Sequence, residues 1–330
     1  MSYAAIKAIE YYLPSMELSN EQLAIDFPDF SADKIFCKTG IKKRHICASS
    51  QFSSDMAIAA ANQLFSSNPS IKEKIDFVVF CSQTPDYLLP TTACIIQNAL
   101  DLDMSVGAMD VNLGCSGFVY GLSIAKGLIE SKQANNVLLL TADTYSKLMH
   151  QSDKSVRTIF GDGAAATWIT SVSHHQPCIS PVLFGTDGSG WMNLCVKGRG
   201  MRTFDQTDAD PFLRMQGPEI FSFTLDTVPK SVMQLLAREQ LNLDDIDLFV
   251  FHQANQYILE HLRKKIGIPS EKFLLAMDFC GNTVSSTIPI ALKEAQNNRT
   301  LSGCQKVMVV GFGVGYSWAA SIINCEYLIE

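Results

Sequence analysis

The chain reads as an α/β protein made of two similar halves. Three observations predict this: short, continuous apolar runs rather than alternating ones, helical segments between them, and a long-range internal repeat. Ile75-Asp76-Phe77-Val78-Val79-Phe80-Cys81-Ser82-Gln83 matches Ile246-Asp247-Leu248-Phe249-Val250-Phe251-His252-Gln253. Asn136-Val137-Leu138-Leu139-Leu140-Thr141 matches Lys306-Val307-Met308-Val309-Val310-Gly311, so the second copy lags the first by about 170 positions. Runs of this kind, separated by helical patterns over 54–65, 119–130 and 220–239, predict mainly parallel sheets covered on both faces. Two such halves packed together give a layered architecture. The boundary falls in the polar stretch 171–176, which divides the chain into halves 1–172 and 173–330. Residues 186–215, rich in Gly, Asp and Arg without periodicity, read as a long surface insertion or lid.

Composition narrows the function classes. The 330 residues are 47% apolar, enough for two core-sized units. A net charge of −7 argues against a nucleic-acid surface, which needs a basic balance to neutralise phosphates. The chain has no run near the roughly eighteen apolar residues of a membrane helix, and Met1 to Lys7 lack an export pattern, so the expected location is the cytoplasm. Ten cysteines with no C-x-x-C pair read as reduced thiols rather than as disulfides or zinc ligands.

One cysteine stands apart. Cys115 lies in Ala108-Met109-Asp110-Val111-Asn112-Leu113-Gly114-Cys115-Ser116-Gly117-Phe118, where an apolar strand ends and an amphipathic helix begins. A buried cysteine is ordinarily an inert apolar filler. Backbone N–H groups at a helix start favour an anion, however, so the expectation is a thiol that ionises more easily than a free one. In the second half, His252-Gln253-Ala254-Asn255 ends a strand and opens a helix, and Cys280-Gly281-Asn282-Thr283 forms a turn at the position matching that of Cys115. Each is unremarkable alone, since a lone histidine is usually structural and Gly-Asn is a common turn pair. The doubling brings all three toward the axis between the halves, a usual place for a site. Together they supply a thiolate, a proton-carrying ring and a non-titrating amide donor.

These motifs, with Thr39-Gly40-Ile41-Lys42-Lys43-Arg44-His45-Ile46, Phe160-Gly161-Asp162-Gly163-Ala164-Ala165 and Gly311-Phe312-Gly313-Val314-Gly315-Tyr316-Ser317-Trp318, resemble those of β-ketoacyl-[acyl-carrier-protein] synthase III, in the thiolase superfamily. The resemblance covers nearly the whole chain. It implies a thiolase-like αβαβα fold and an acyltransferase that condenses an acyl group, carried on Cys115, with malonyl-[acyl-carrier-protein] by loss of carbon dioxide. His252 and Asn282 would hold the extender's thioester carbonyl, and the backbone N–H groups of Cys115 and Val314 would form the oxyanion hole. Val314 departs from the family's frequent all-glycine run. No metal or redox cofactor is implied. The second reactive cysteine of a true thiolase is missing from the C-terminal glycine motif.

The resemblance also implies donor-binding and docking residues. Lys34 stands where many members place a tryptophan against the adenine of coenzyme A, and Lys34, Lys38, Lys154 and Arg157 are candidates for its phosphates or those of a phosphopantetheine arm. Asn255 and Phe312 complete the expected substrate-binding set. Arg263, Lys264 and Lys265 resemble the basic patch that docks the acyl carrier protein, with Tyr257 in place of a frequent arginine. Leu88, Leu89 and Pro90 match the loop that reaches the partner subunit's acyl tunnel, which implies a homodimer. Two other functions share the scaffold: acyl transfer to an alcohol or amine with His252 as general base, and a non-catalytic subunit of a synthase complex.

Overall fold

The structure, a computed structural model, describes residues 2–329. Residues 1 and 330, the outer ends of the two expected halves, lie outside the described residues.

Two sheets carry the fold, and their strands follow one plan. The first runs, in spatial order, Ser2–Tyr12, Gly163–Ser173, Asn136–Asp143, Phe77–Cys81, Gly107–Val111. The second runs Leu183–Thr186, Ser317–Ile323, Val307–Gly313, Leu248–Phe251. A parallel bridge from Phe249 to Phe273 stands where the first sheet has its fifth strand. The two halves are thus pseudo-symmetric, as the repeat predicts.

The sheets are mixed, which corrects the expectation of mainly parallel ones. Phe77–Cys81 is parallel to both its neighbours, and Leu248–Phe251 is parallel to Val307–Gly313. The remaining pairs within the two sheets are antiparallel. Only three residues separate Val307–Gly313 from Ser317–Ile323, too few for the crossover a parallel pair requires. Continuous apolar runs report that both faces of a strand are covered, whatever its direction.

Helices Gly117–Glu130 and Thr287–Asn297 lie between the sheets. Phe118, Leu122 and Ile129 from the first and Ile288, Leu292 and Ala295 from the second share one core with Val79 and Leu139 of one sheet and Val250 and Val309 of the other. Helix Ser53–Ser67 covers the outer face of the first sheet through Met56, Ala60 and Leu64. Helices Gly217–Glu239 and Gln256–Ile266 cover that of the second through Val232, Leu235, Leu259 and Leu262. The result is five layers, αβαβα. Because the two middle helices begin beside each other at the sheet ends, the turns that precede them meet.

The segment 186–215 is more than a lid. Strands Leu194–Val196 and Leu213–Met215 pair antiparallel within it, and Leu194 and Leu213 are buried in one cluster with Cys115.

Candidate active site

Cys115 precedes helix Gly117–Glu130 and is 4% exposed. Its turn is held by Gly117 donating to the Gly114 carbonyl at 2.7 Å and by the Ser116 hydroxyl 2.7 Å from that of Ser317. The facing turn comes very close: a Cβ added to Gly313 would lie 2.9 Å from the Cys115 Sγ, so only glycine leaves room for the sulfur.

The ionisation expected of Cys115 is corrected. Burial and the charge of nearby Asp143 push its thiol up to about 12, against the N–H groups of Val314 and of Cys115 itself, which favour the thiolate. The sulfur sits among Tyr145, Met149, Val156, Phe160, Leu194 and Val284, so desolvation outweighs the backbone donors. At rest it is a thiol. The rate of Cys115 alkylation by iodoacetamide should therefore rise about tenfold per pH unit from 8 to 10, following the thiolate fraction. A plateau below pH 8, read by mass spectrometry of the Cys115 peptide, would contradict this.

His252 follows strand Leu248–Phe251, its N–H bonded to the Val310 carbonyl at 2.8 Å. Burial pushes its pKa down to about 3, so the ring is neutral. Its Nδ1 lies 2.7 Å from the Thr287 hydroxyl, which also reaches the Val284 carbonyl at 3.1 Å. Phe312 is buried and meets the imidazole edge-on, with ring centroids 5.5 Å apart, so it walls one side of the ring.

Asn282 is clamped to the opposite half. Its N–H donates to the Ile159 carbonyl and its carbonyl accepts from Gly161, both at 3.0 Å. Gly281, at φ +74°, makes that approach possible, because a Cβ there would stand 2.9 Å from the Ile159 oxygen. The Asn282 Oδ1 accepts the Val284 N–H at 2.9 Å, which turns Nδ2 toward the His252 Nε2 and the Ala254 carbonyl, each 3.4 Å away. Val284 holds φ +56°, a conformation costing a β-branched residue on the order of 1–3 kcal/mol. The strain is local to the turn that aims the amide.

A cavity of about 600 Å³ opens beside this centre, lined by Gln83, Asn112, Tyr145, Leu194, Leu213 and Val314. Four of those side chains also pack in the apolar cluster around Cys115. Leu88 also lines it, whereas Leu89 is 82% exposed on the surface.

The outlying residues divide. Lys34, Lys38 and Lys154 gather around the Phe30 ring, their Nζ atoms 5.4, 5.1 and 6.0 Å from its centroid. Arg157 does not join them as a free charge: it is buried, paired with Asp26 at 2.9 Å and donating to the Gln151 carbonyl at 2.7 Å. Asn255 caps helix Gln256–Ile266 through its Oδ1, which accepts from Ile258, so that oxygen is committed to the fold. On the same helix Lys264 and Lys265 are exposed, while Arg263 is engaged by Glu260 at 2.9 Å and by the Ile268 carbonyl. Sequence reasoning passed over Thr287, Asp143 and the Ile159–Gly161 clamp. A charged residue closing the buried run Val137 to Ala142 was the available signal for Asp143.

The models of the two parts of 3-oxoacyl-[acyl-carrier-protein] synthase III match residues 109–188 and, for the C-terminal part, 236–325. A β-ketoacyl-[acyl-carrier-protein] synthase III of Lactococcus lactis is 36% identical over 328 residues, covering 98% of this chain and 100% of the relative. The chain belongs to the β-ketoacyl-[acyl-carrier-protein] synthase III family. Solved structures of such synthases superpose on it. One is 47% identical with a TM-score of 0.96, covering 98% of this chain and 99% of the other. Another, from Burkholderia xenovorans, is 32% identical with a TM-score of 0.92, covering 100% and 96%. The chain is an acyltransferase of the condensing type. That family membership turns against the transfer to an alcohol or amine and against a non-catalytic role.

Proposed function

We propose that Cys115 takes an acyl group from a coenzyme A or carrier-protein thioester and condenses it with a malonyl thioester on acyl carrier protein. In the first half, the sulfur attacks the donor carbonyl and the donor thiol leaves with a proton. His252 can receive the Cys115 proton when the Thr287 hydroxyl donates to Val284, because the ring then carries its proton on Nδ1 and leaves Nε2 as a base. In the second half the Thr287 hydroxyl donates to Nδ1, and Nε2–H joins the Asn282 amide as a second donor. Both aim at one oxygen, that of the extender's thioester. Loss of carbon dioxide puts negative charge on that oxygen, and preorganised donors in a dry site stabilise it better than water does. The resulting carbon nucleophile attacks the acyl carbonyl, the N–H groups of Cys115 and Val314 hold the tetrahedral oxyanion, and its collapse expels the Cys115 sulfur and frees the β-ketoacyl thioester.

The observation that carries this reading is the fixed orientation of Asn282: Val284 pins its oxygen, so its amide nitrogen must face the His252 ring. The test is incubation with acyl-coenzyme A and malonyl-[acyl-carrier-protein]. It should give an acyl mass increment on Cys115 and release of carbon dioxide in step with product. Acylation without carbon dioxide release would sink the condensing chemistry.

The cavity wall of Tyr145, Leu194 and Leu213 suits an acyl chain, and the lysines around Phe30 suit the donor's phosphates. Reversing two exposed charges with the double change Lys38→Glu and Lys154→Glu should raise KM for acyl-coenzyme A several-fold and leave kcat unchanged. A fall in kcat alone would place those lysines elsewhere. Lys264 and Lys265 are the residues we assign to carrier-protein docking. Exposed Tyr87, Leu88, Leu89 and Trp191 are an apolar group that fits a homodimer contact, to be read by light scattering.

A further inference from the structure

Asp143 ends strand Asn136–Asp143 and is 0% exposed. Its Oδ1 accepts the Gln83 N–H at 2.8 Å, on the Cys115 side of the molecule, where the Gln83 Oε1 in turn accepts from the Tyr145 hydroxyl at 2.7 Å. Its Oδ2 accepts the Ser285 hydroxyl at 2.5 Å and the Ser285 N–H at 3.3 Å. Ser285 lies three residues beyond Asn282, in the short helical turn Val284–Ser286. One buried carboxyl group therefore joins the turn that aims Asn282 to the half that holds the nucleophile.

The groups that face Asp143 electrostatically are Cys81 at the end of its strand, Cys115, Tyr145, and Asp162 before the neighbouring strand. Each is neutral or negative, and no ion pair among the described residues engages Asp143. A carboxylate without a cation, buried beside a sulfur that must become an anion, is unfavourable for either charge.

We propose that Asp143 is a positioning residue for this centre, bolting the Asn282 turn to the Cys115 half through Ser285 and Gln83 while its negative charge opposes the Cys115 thiolate. The two anions compete for one site. The opposition acts only on the transient thiolate formed as Cys115 attacks the donor, because the resting thiol and the acyl thioester are both neutral. Through both half-reactions the Asp143 carboxyl group holds Ser285, and with it the Asn282 turn, in place for decarboxylation. Burial raises the Asp143 carboxyl to about 7, against the Ser285 and Gln83 donors, so the change of charge falls within the working pH range. The second half of this inference rests on the condensing reading above; the opposition of charges does not.

The test uses two variants of the full chain. Asp143→Asn keeps an acceptor for Gln83 and a partner for the Ser285 hydroxyl but removes the charge. Its Cys115 alkylation profile with iodoacetamide should shift to lower pH, with at least a threefold faster rate at pH 8. A profile superimposable on the wild type overturns the electrostatic role. Ser285→Ala cuts the bolt and keeps the carboxyl group: at pH values well above the Asp143 range, where that group is ionised in both proteins, its alkylation rate should match the wild type, while malonyl decarboxylation falls about tenfold relative to acylation. Unchanged decarboxylation overturns the positioning role, and this variant decides it even if Asp143→Asn does not fold. A wild-type protein that is acylated but never releases carbon dioxide would remove the condensing reading and leave the alkylation result standing.

Discussion

Replacing Cys115 with alanine should abolish the acyl mass increment and all β-ketoacyl product. No other thiol can substitute. Cys81, the buried cysteine nearest in environment, donates to the Leu113 carbonyl and is pushed far up by burial and Asp143, so it is less able to ionise than Cys115. Cys115 also shares an apolar cluster with Tyr145, Leu194, Leu213 and Val314, four residues of the cavity wall. Acyl-coenzyme A labelling followed by peptide mass spectrometry checks this. Residual labelling of the alanine variant at a second cysteine would move the nucleophile.

Asn282→Ala should leave acylation within about twofold of wild type and lower condensation by about 10²–10³, the cost of one missing oxyanion donor. Alanine also frees the Val284 N–H, so part of that loss could come from a relaxed turn. Asn282→Asp separates the two. Its carboxylate still accepts from Val284, but the donor that faced the His252 ring becomes an oxygen, which repels the developing enolate. Condensation by the aspartate variant should be at least as slow as by alanine. Recovery toward wild-type rates in Asn282→Asp would mean that the residue holds the turn and does not touch the charge.

The fold was legible because its signals are local and repeated. Apolar runs at a constant lag gave the two halves, and the strand-to-turn-to-helix grammar around residues 108–118 singled out Cys115 among ten cysteines. Strand direction was not legible, since an apolar run records burial and not polarity. The site was half legible. Cys115, His252 and Asn282 were singled out in the chain, but the expected easy ionisation of Cys115 came from its helix alone, whereas the opposing influences come from Tyr145, Phe160, Leu194 and Asp143, distant in the chain.

Charged residues show the same divide. In sequence, Arg157 belongs with Lys34, Lys38 and Lys154, and Arg263 with Lys264 and Lys265. In space Asp26 and Glu260 have already claimed both arginines, and only the lysines remain exposed. The sequence by itself determined which chemical groups exist and that a doubled architecture would face them toward one another, because periodicity and motif spacing are properties of the chain. Only the tertiary structure decided the state of those groups: which thiol is protonated, which amide face points inward, which guanidinium is spent. Each of these is a sum over neighbours contributed by different layers, and proximity of that kind is created by packing.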